Sequence, residues 1–292
     1  MKRLFLMTAT FLACTVITLH AAVTEGTDNK YQLTAGNLTM TVDAEKGGKI
    51  LSLKYQDAEV ISQLKWPEAF GSTFWTSPQK EWNWPPVPEF DKMAYTVEAH
   101  NDTTLIMKSQ VSARLKYSIG KTIRAKSNGS FAITYSIYNE SGESRQVAPW
   151  EITRVPNEGI IFFDAPLEGI TPKGLMDFKA AHGAVWYQAD EAKENRKINA
   201  DGKGWLAYYS NGLLLVKKFQ DLQEGQPAPG EAEVQVYVNR GKTYIELESQ
   251  GAYTTLAPGD HLDWTVSWYL MPAEGEAVPS VSLVEKVKKA IQ

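Results

Sequence analysis

Short segments that alternate apolar with polar residues, or run through β-branched and aromatic ones, recur along nearly the whole chain. They are NLTMTV, KILSLKY, TLIMKSQ, LKYSIGKTIRA, SFAITYSIYN, GIIFFDA, GWLAYYS, GLLLVKKF, AEVQVYVN, TYIELESQ and LDWTVSWYL. Turn signals such as EKGG, SNGS, NESGES, SNG, NRGK and APGD separate them. Strand-like runs punctuated in this way are the mark of an antiparallel protein. Only VSLVEKVKKAIQ, with Val281, Val284, Val287 and Ile291 along one stripe, has helical spacing. The pattern predicts an all-β fold: a large antiparallel β-sandwich with a short C-terminal helix. No fixed-period repeat and no Gly/Ser or Ser/Pro run divides the chain, which predicts a single domain over residues 22–292.

Residues 1–21 read as a secretory signal peptide. Lys2 and Arg3 precede an apolar run from Leu4 to Leu19, and the small residues Ala21 and Ala22 follow. The protein is therefore expected to be exported, to a periplasm or a cell surface. A second reading takes FLAC as a lipoprotein site that would leave Cys14 as the lipidated first residue. Phe11 is unusual three residues before such a cysteine, and TVITLHAA after it continues as signal. Cys14 is the only cysteine, so cleavage near Ala21 would leave no thiol for a disulfide, a metal or nucleophilic catalysis. No other apolar run approaches the roughly 20 residues that cross a bilayer as a helix. The formal net charge of −4 becomes more negative without Lys2 and Arg3, and the basic residues are scattered. Neither nucleic acid nor an anionic membrane is an expected partner.

Two segments interrupt the strand rhythm, Leu64 to Asp91 and Leu167 to Asn199, and loops that long in a compact domain usually serve function. The first holds Trp66, Trp75, Trp82 and Trp84 together with Gln79, Glu81, Asn83, Glu89 and several prolines. Sugars present apolar CH faces that stack on aromatic rings and hydroxyls that pair with amides and carboxylates. The mixture therefore predicts a carbohydrate site, the alternative being that the tryptophans only cap one end of the sandwich. In NESGESRQVAPWEITRVP, alternation places Trp150, Ile152 and Arg154 on one strand face and Glu151, Thr153 and Val155 on the other. In TYIELESQ, Tyr244, Glu246, Glu248 and Gln250 share a face, which ordinary solvent exposure would also explain. His100, His182 and His261 have no metal-binding spacing, and no metal or cofactor is expected.

The segment YIELESQGAYTTLAPGDHLDWTVSWYLMP resembles the C-terminal strands of the galactose mutarotase-like superfamily, in which a Glu ends a core strand and an L-x-PG turn leads into a long final strand. GGKILSLKY is similar to an early strand pair of those proteins, and YSIYNESGESRQVAPWEITRV to their central segment. GSTFWTSPQKEWNWPPVPEFD resembles more closely a branch of secreted mutarotase-like proteins typical of gut Bacteroidetes. The resemblance implies the supersandwich fold and places the family's catalytic base, a Glu in a Leu-Glu-Thr-Gln-like setting, on Glu248 of LESQ, with Glu246 beside it.

The family's catalytic acid is a His in the central segment, where this chain carries Trp150 and Glu151. The substitutes are Glu151 with a raised pKa, or His182 reaching in from the second long segment. The expected function is recognition of a mono- or oligosaccharide, with an aldose 1-epimerase-like step that uses Glu248 as general base. The other readings are a non-catalytic carbohydrate-binding protein, or a glycoside-cleaving enzyme with Glu151 and Glu248 as its carboxylate pair. Trp75, Gln79, Trp82, Trp84, Trp150, Arg154, Glu246 and His182 complete the expected binding set.

Overall fold

The structure is a computed structural model that describes residues 21–64, 66 and 69–292. The N-terminal apolar run, with Cys14, lies outside the described residues. Two antiparallel sheets, one of eleven strands and one of ten, pack face to face. In the first, the strands Ser72–Ser77, Arg145–Pro156, Tyr244–Gln250, Val234–Val238 and Arg196–Ala200 are successive neighbours. In the second, Trp205–Ser210, Leu213–Lys218, His261–Pro272, Phe131–Asn139 and Tyr117–Ala125 form the centre. The chain is thus the expected large antiparallel β-sandwich with a short C-terminal helix. Every strand-like segment of the sequence falls on a strand, and residues of both sheets and of the helix join one hydrophobic core.

Three expectations are corrected. Leu64 to Asp91 is not all connection, since Ser72–Ser77 within it is a buried strand of the first sheet. Leu167 to Asn199 is not a single long loop: Phe178–Ala181 and Ala184–Gln188 within it form a hairpin at the edge of the second sheet, and Arg196–Ala200 pairs with Val234–Val238 in the first. These strands are four or five residues long, too short for alternation to stand out from the turns around them. In the helix Val281–Ile291, the buried stripe is Leu283, Val284 and Val287, while Val281 is 53% exposed. Its start is capped by Ser280, whose hydroxyl accepts from Leu283 N at 3.2 Å.

The core holds charge as well as hydrocarbon. Glu151 and Lys217, both fully buried between the sheets, stand 2.6 Å apart. Glu151 Oε1 also accepts from Tyr135 Oη at 2.8 Å and Trp268 Nε1 at 2.9 Å. A second buried carboxylate, Glu233, accepts from Gly204 N at 2.9 Å and Leu222 N at 2.6 Å. Burial, reinforced by the nearby Asp221 and Asp201 and only partly offset by these N–H groups, pushes its pKa up to about 7. A raised carboxyl pKa favours the folded state while the group is protonated. That stability is present below the ordinary carboxylate value and is lost as pH rises toward about 7. Glu233→Gln cannot ionise, so it should abolish on the order of 2–3 kcal/mol of the stability lost between about pH 5 and about pH 7.5. Urea unfolding at both pH values measures this, and an unchanged slope would contradict it.

Candidate functional site

Residues directly paired across antiparallel strands share a face, so the register of the first sheet defines the site. Trp75 pairs with Trp150, which pairs with Gln250. In the next row that shares this face, Thr73, Ile152, Glu248 and Gln235 line up, and beyond it Arg154, Glu246, Tyr237 and Lys197. The intervening rows point inward. Phe74 stacks on Tyr135 of the second sheet with ring centroids 4.3 Å apart, and Glu151 meets Lys217. The outward rows form the floor of a cavity of about 620 Å³. Trp75, Trp150, Lys197, Tyr237, Glu246 and Glu248 line it from the strands, and Tyr244 adds a further ring. Trp66, Ala69, Gln79, Trp84 and Asn195 line it from the connections.

The aromatic lining is built around Trp75. Its ring meets Trp150 edge-on at 5.4 Å, Trp82 at 5.6 Å and Trp84 at 6.2 Å. Its indole N–H donates to Asp91 Oδ1 at 2.9 Å, an oxygen that also receives Thr73 Oγ1 at 2.8 Å and Lys49 Nζ at 2.6 Å. Burial works to raise the Asp91 pKa, but Lys49 and these donors outweigh it and hold the carboxyl below its usual value. Asp91 thereby fixes the Trp75 ring as an ionised acceptor. Trp82 lies behind the lining, 2% exposed, and donates to Thr76 O at 2.8 Å. It supports the wall instead of facing the cavity.

Glu248 is 1% exposed, and its Oε2 accepts from Trp150 Nε1 at 2.8 Å and Lys197 Nζ at 2.9 Å. Burial raises its pKa, Lys197 opposes the rise, and the neighbouring Glu246 adds to it. Lys197 Nζ also sits 4.5 Å from the centre of the Trp150 ring, a cation–π contact. Glu246 is charge-paired: Arg154 Nη2 lies 2.7 Å from its Oε1, without the alignment of a hydrogen bond. Arg154 is itself buried beneath the floor, with its guanidinium carbon 5.9 Å from the Trp75 and Tyr244 rings.

Of the candidates from sequence, Trp75, Gln79, Trp84, Trp150, Glu246 and Glu248 therefore converge on one cavity. Trp82 and Arg154 stand behind its wall. Glu151 does not join them: it follows Trp150 in the same strand, so the pleat turns it into the inter-sheet core, where Lys217 engages it. His182 is also elsewhere, exposed at the tip of the Phe178–Ala181/Ala184–Gln188 hairpin with φ of 55°. Lys197, the cation on Glu248, was not anticipated. It sits in RKINA, a strand of five residues inside the segment read as a loop, and the alternation of Lys197 with Ile198 is its only local signal. Among the described residues no group of three or more His, Cys, Asp or Glu is arranged to hold a metal. No helix among them is long and apolar enough to cross a membrane.

No protein-family model and no curated protein sequence matches the chain. Solved structures do. A protein of Escherichia coli K12 provisionally named an aldose 1-epimerase superposes with a TM-score of 0.63 at 13% identity, over 84% of this chain and 99% of its own. A galactose mutarotase-like protein of Clostridium acetobutylicum gives 0.58 at 10% identity, over 87% and 99%. The galactose 1-epimerase of Lactobacillus acidophilus gives 0.53 at 10% identity, over 87% and 98%. The chain has the galactose mutarotase-like fold.

Proposed function

We propose that this is an exported carbohydrate-recognising protein whose outer-face cavity holds a sugar, with Glu248 as the carboxylate that receives a sugar hydroxyl. The observation that carries the reading is the meeting of Glu248 with Trp150 and Trp75 on one sheet face. A hydrogen-bonded carboxylate lies there against apolar ring surface, the combination that a sugar's hydroxyl edge and CH face require. Lys197 keeps Oε2 occupied and orients the carboxylate, and Gln79, Asn195 and Tyr237 offer further polar groups to the ligand.

Recognition is favoured over turnover by what an epimerase must do. Interconverting anomers takes the proton from the anomeric hydroxyl and delivers one to the ring oxygen, which calls for a base and an acid of separated pKa. Glu248, with its raised pKa, suits the base. Among the described residues the cavity lining contains no histidine, and Lys197 is engaged on the same oxygen as Trp150. A glycoside-cleaving pair of Glu151 and Glu248 is disfavoured, because the two lie on opposite faces of the sheet.

A glycan array combined with NMR of anomeric equilibration in several aldoses separates these outcomes. Binding without acceleration supports recognition, and acceleration that Glu248→Gln removes would assign the epimerase step. Absence of binding to any sugar would end the carbohydrate reading.

A further inference from the structure

We infer that the cavity takes the end of an oligosaccharide, with Trp84 stacking on the second sugar unit at its mouth. The inference rests on the carbohydrate reading and names its ligand class. Exposure along the aromatic lining is graded: Trp150 is 1% exposed on the floor, Trp75 5% on the wall and Trp84 58% at the rim. The carboxylates Glu248 and Glu246 and the guanidinium of Arg154 are buried in or beneath the floor, while Lys197, 31% exposed, is the charged lining group that reaches toward water. A ligand that enters end-first therefore meets the buried carboxylates around its terminal unit and the open Trp84 face around the next. The volume of about 620 Å³ lies within the range of small-molecule pockets, roughly 300–1,000 Å³.

An exposed tryptophan is ordinarily free to move, but the turn that presents Trp84 is pinned on both sides. Arg114 donates from Nη1 to Trp82 O at 2.7 Å and from Nη2 to Glu81 O at 2.9 Å. Asn83 N donates to Gln79 O at 2.8 Å. Asn83 itself takes a φ of 56°, which asparagine tolerates better than most residues. The Trp84 ring stands edge-on to Trp75, with an interplanar angle of 81°. A large apolar ring held in place yet open to water, beside a cavity, has the character of a contact residue awaiting a partner.

The test is a titration of wild-type protein and Trp84→Ala with mono-, di- and trisaccharides of β-1,4-linked glucose, mannose, xylose and galactose and of α-1,4-linked glucose, read by calorimetry. For the series that binds, the wild type should prefer the trisaccharide to the monosaccharide by on the order of tenfold. Trp84→Ala should reduce that ratio to less than about threefold. Because the variant could disturb the turn, the wild type supplies a second readout. Oxidation of exposed indoles by N-bromosuccinimide, mapped by peptide mass, should spare Trp84 in saturating trisaccharide and not in saturating monosaccharide. Equal affinity for mono- and trisaccharide, or Trp84 left unprotected by the trisaccharide, overturns the inference while leaving sugar binding in place. If no sugar of any length binds, the carbohydrate reading falls and the inference with it.

Discussion

Replacing Glu151 by alanine is expected to lower the unfolding free energy by about 3–5 kcal/mol without touching the cavity. The substitution leaves the Lys217 ammonium, fully buried, without the carboxylate 2.6 Å away. It also strips Tyr135 and Trp268 of the acceptor they share. An uncompensated buried cation is the dominant cost, because the desolvation already incurred by Lys217 is no longer offset by attraction. Removing both charges, as in Glu151→Leu with Lys217→Met, should therefore recover most of the loss. Urea denaturation of the wild type, the single variant and the double variant gives the comparison. A near-neutral single variant, or a double variant no better than the single, would show that the pair does not govern core stability.

Glu248→Gln is expected to act in the reverse sense, weakening carbohydrate binding by about 10- to 100-fold with a modest change in melting temperature. Its amide oxygen can still accept from Trp150, and Lys197, whose side chain is 31% exposed, can turn toward water. What is lost is the charged acceptor for the ligand. The raised pKa of Glu248 adds a pH signature. Binding that needs the carboxylate should decline as pH falls, with a midpoint above the ordinary glutamate value, and the glutamine variant should lack this decline. Calorimetry across pH decides. Unchanged affinity would remove Glu248 from the site, and a collapse in melting temperature would recast it as a structural residue.

These two glutamates also show how far the sequence could be read. Strand segments long enough to repeat their alternation, such as TYIELESQ and LDWTVSWYL, announced the sandwich. The tryptophan-rich segment announced the cavity wall but not which of its rings would face the cavity, since Trp82 serves packing behind it. Which face of RQVAPWEITRVP looked outward was not legible. Both faces mix charge with apolar residues, and the choice is made by long-range pairing with Ser72–Ser77 and Tyr244–Gln250. Glu151 accordingly looked as suitable for the site as Trp150. Lys197 was hidden for a related reason: a strand of five residues acquires its identity from its neighbour Val234–Val238, and local pattern carries almost none of that information.

The alternation within Arg145–Pro156 has a consequence for how such a protein changes over time. Its even-numbered members face outward, with Trp150 lining the cavity and Ile152 and Arg154 buried outside its lining, and its odd-numbered members, Glu151, Thr153 and Val155, face the interior. Substitutions of the odd-numbered set are expected to act through the core alone, whereas replacing Trp150 changes the cavity and, because the ring is buried, stability as well. The strand thus sorts by parity the positions whose replacement can reshape the cavity from those whose replacement is felt only in the core.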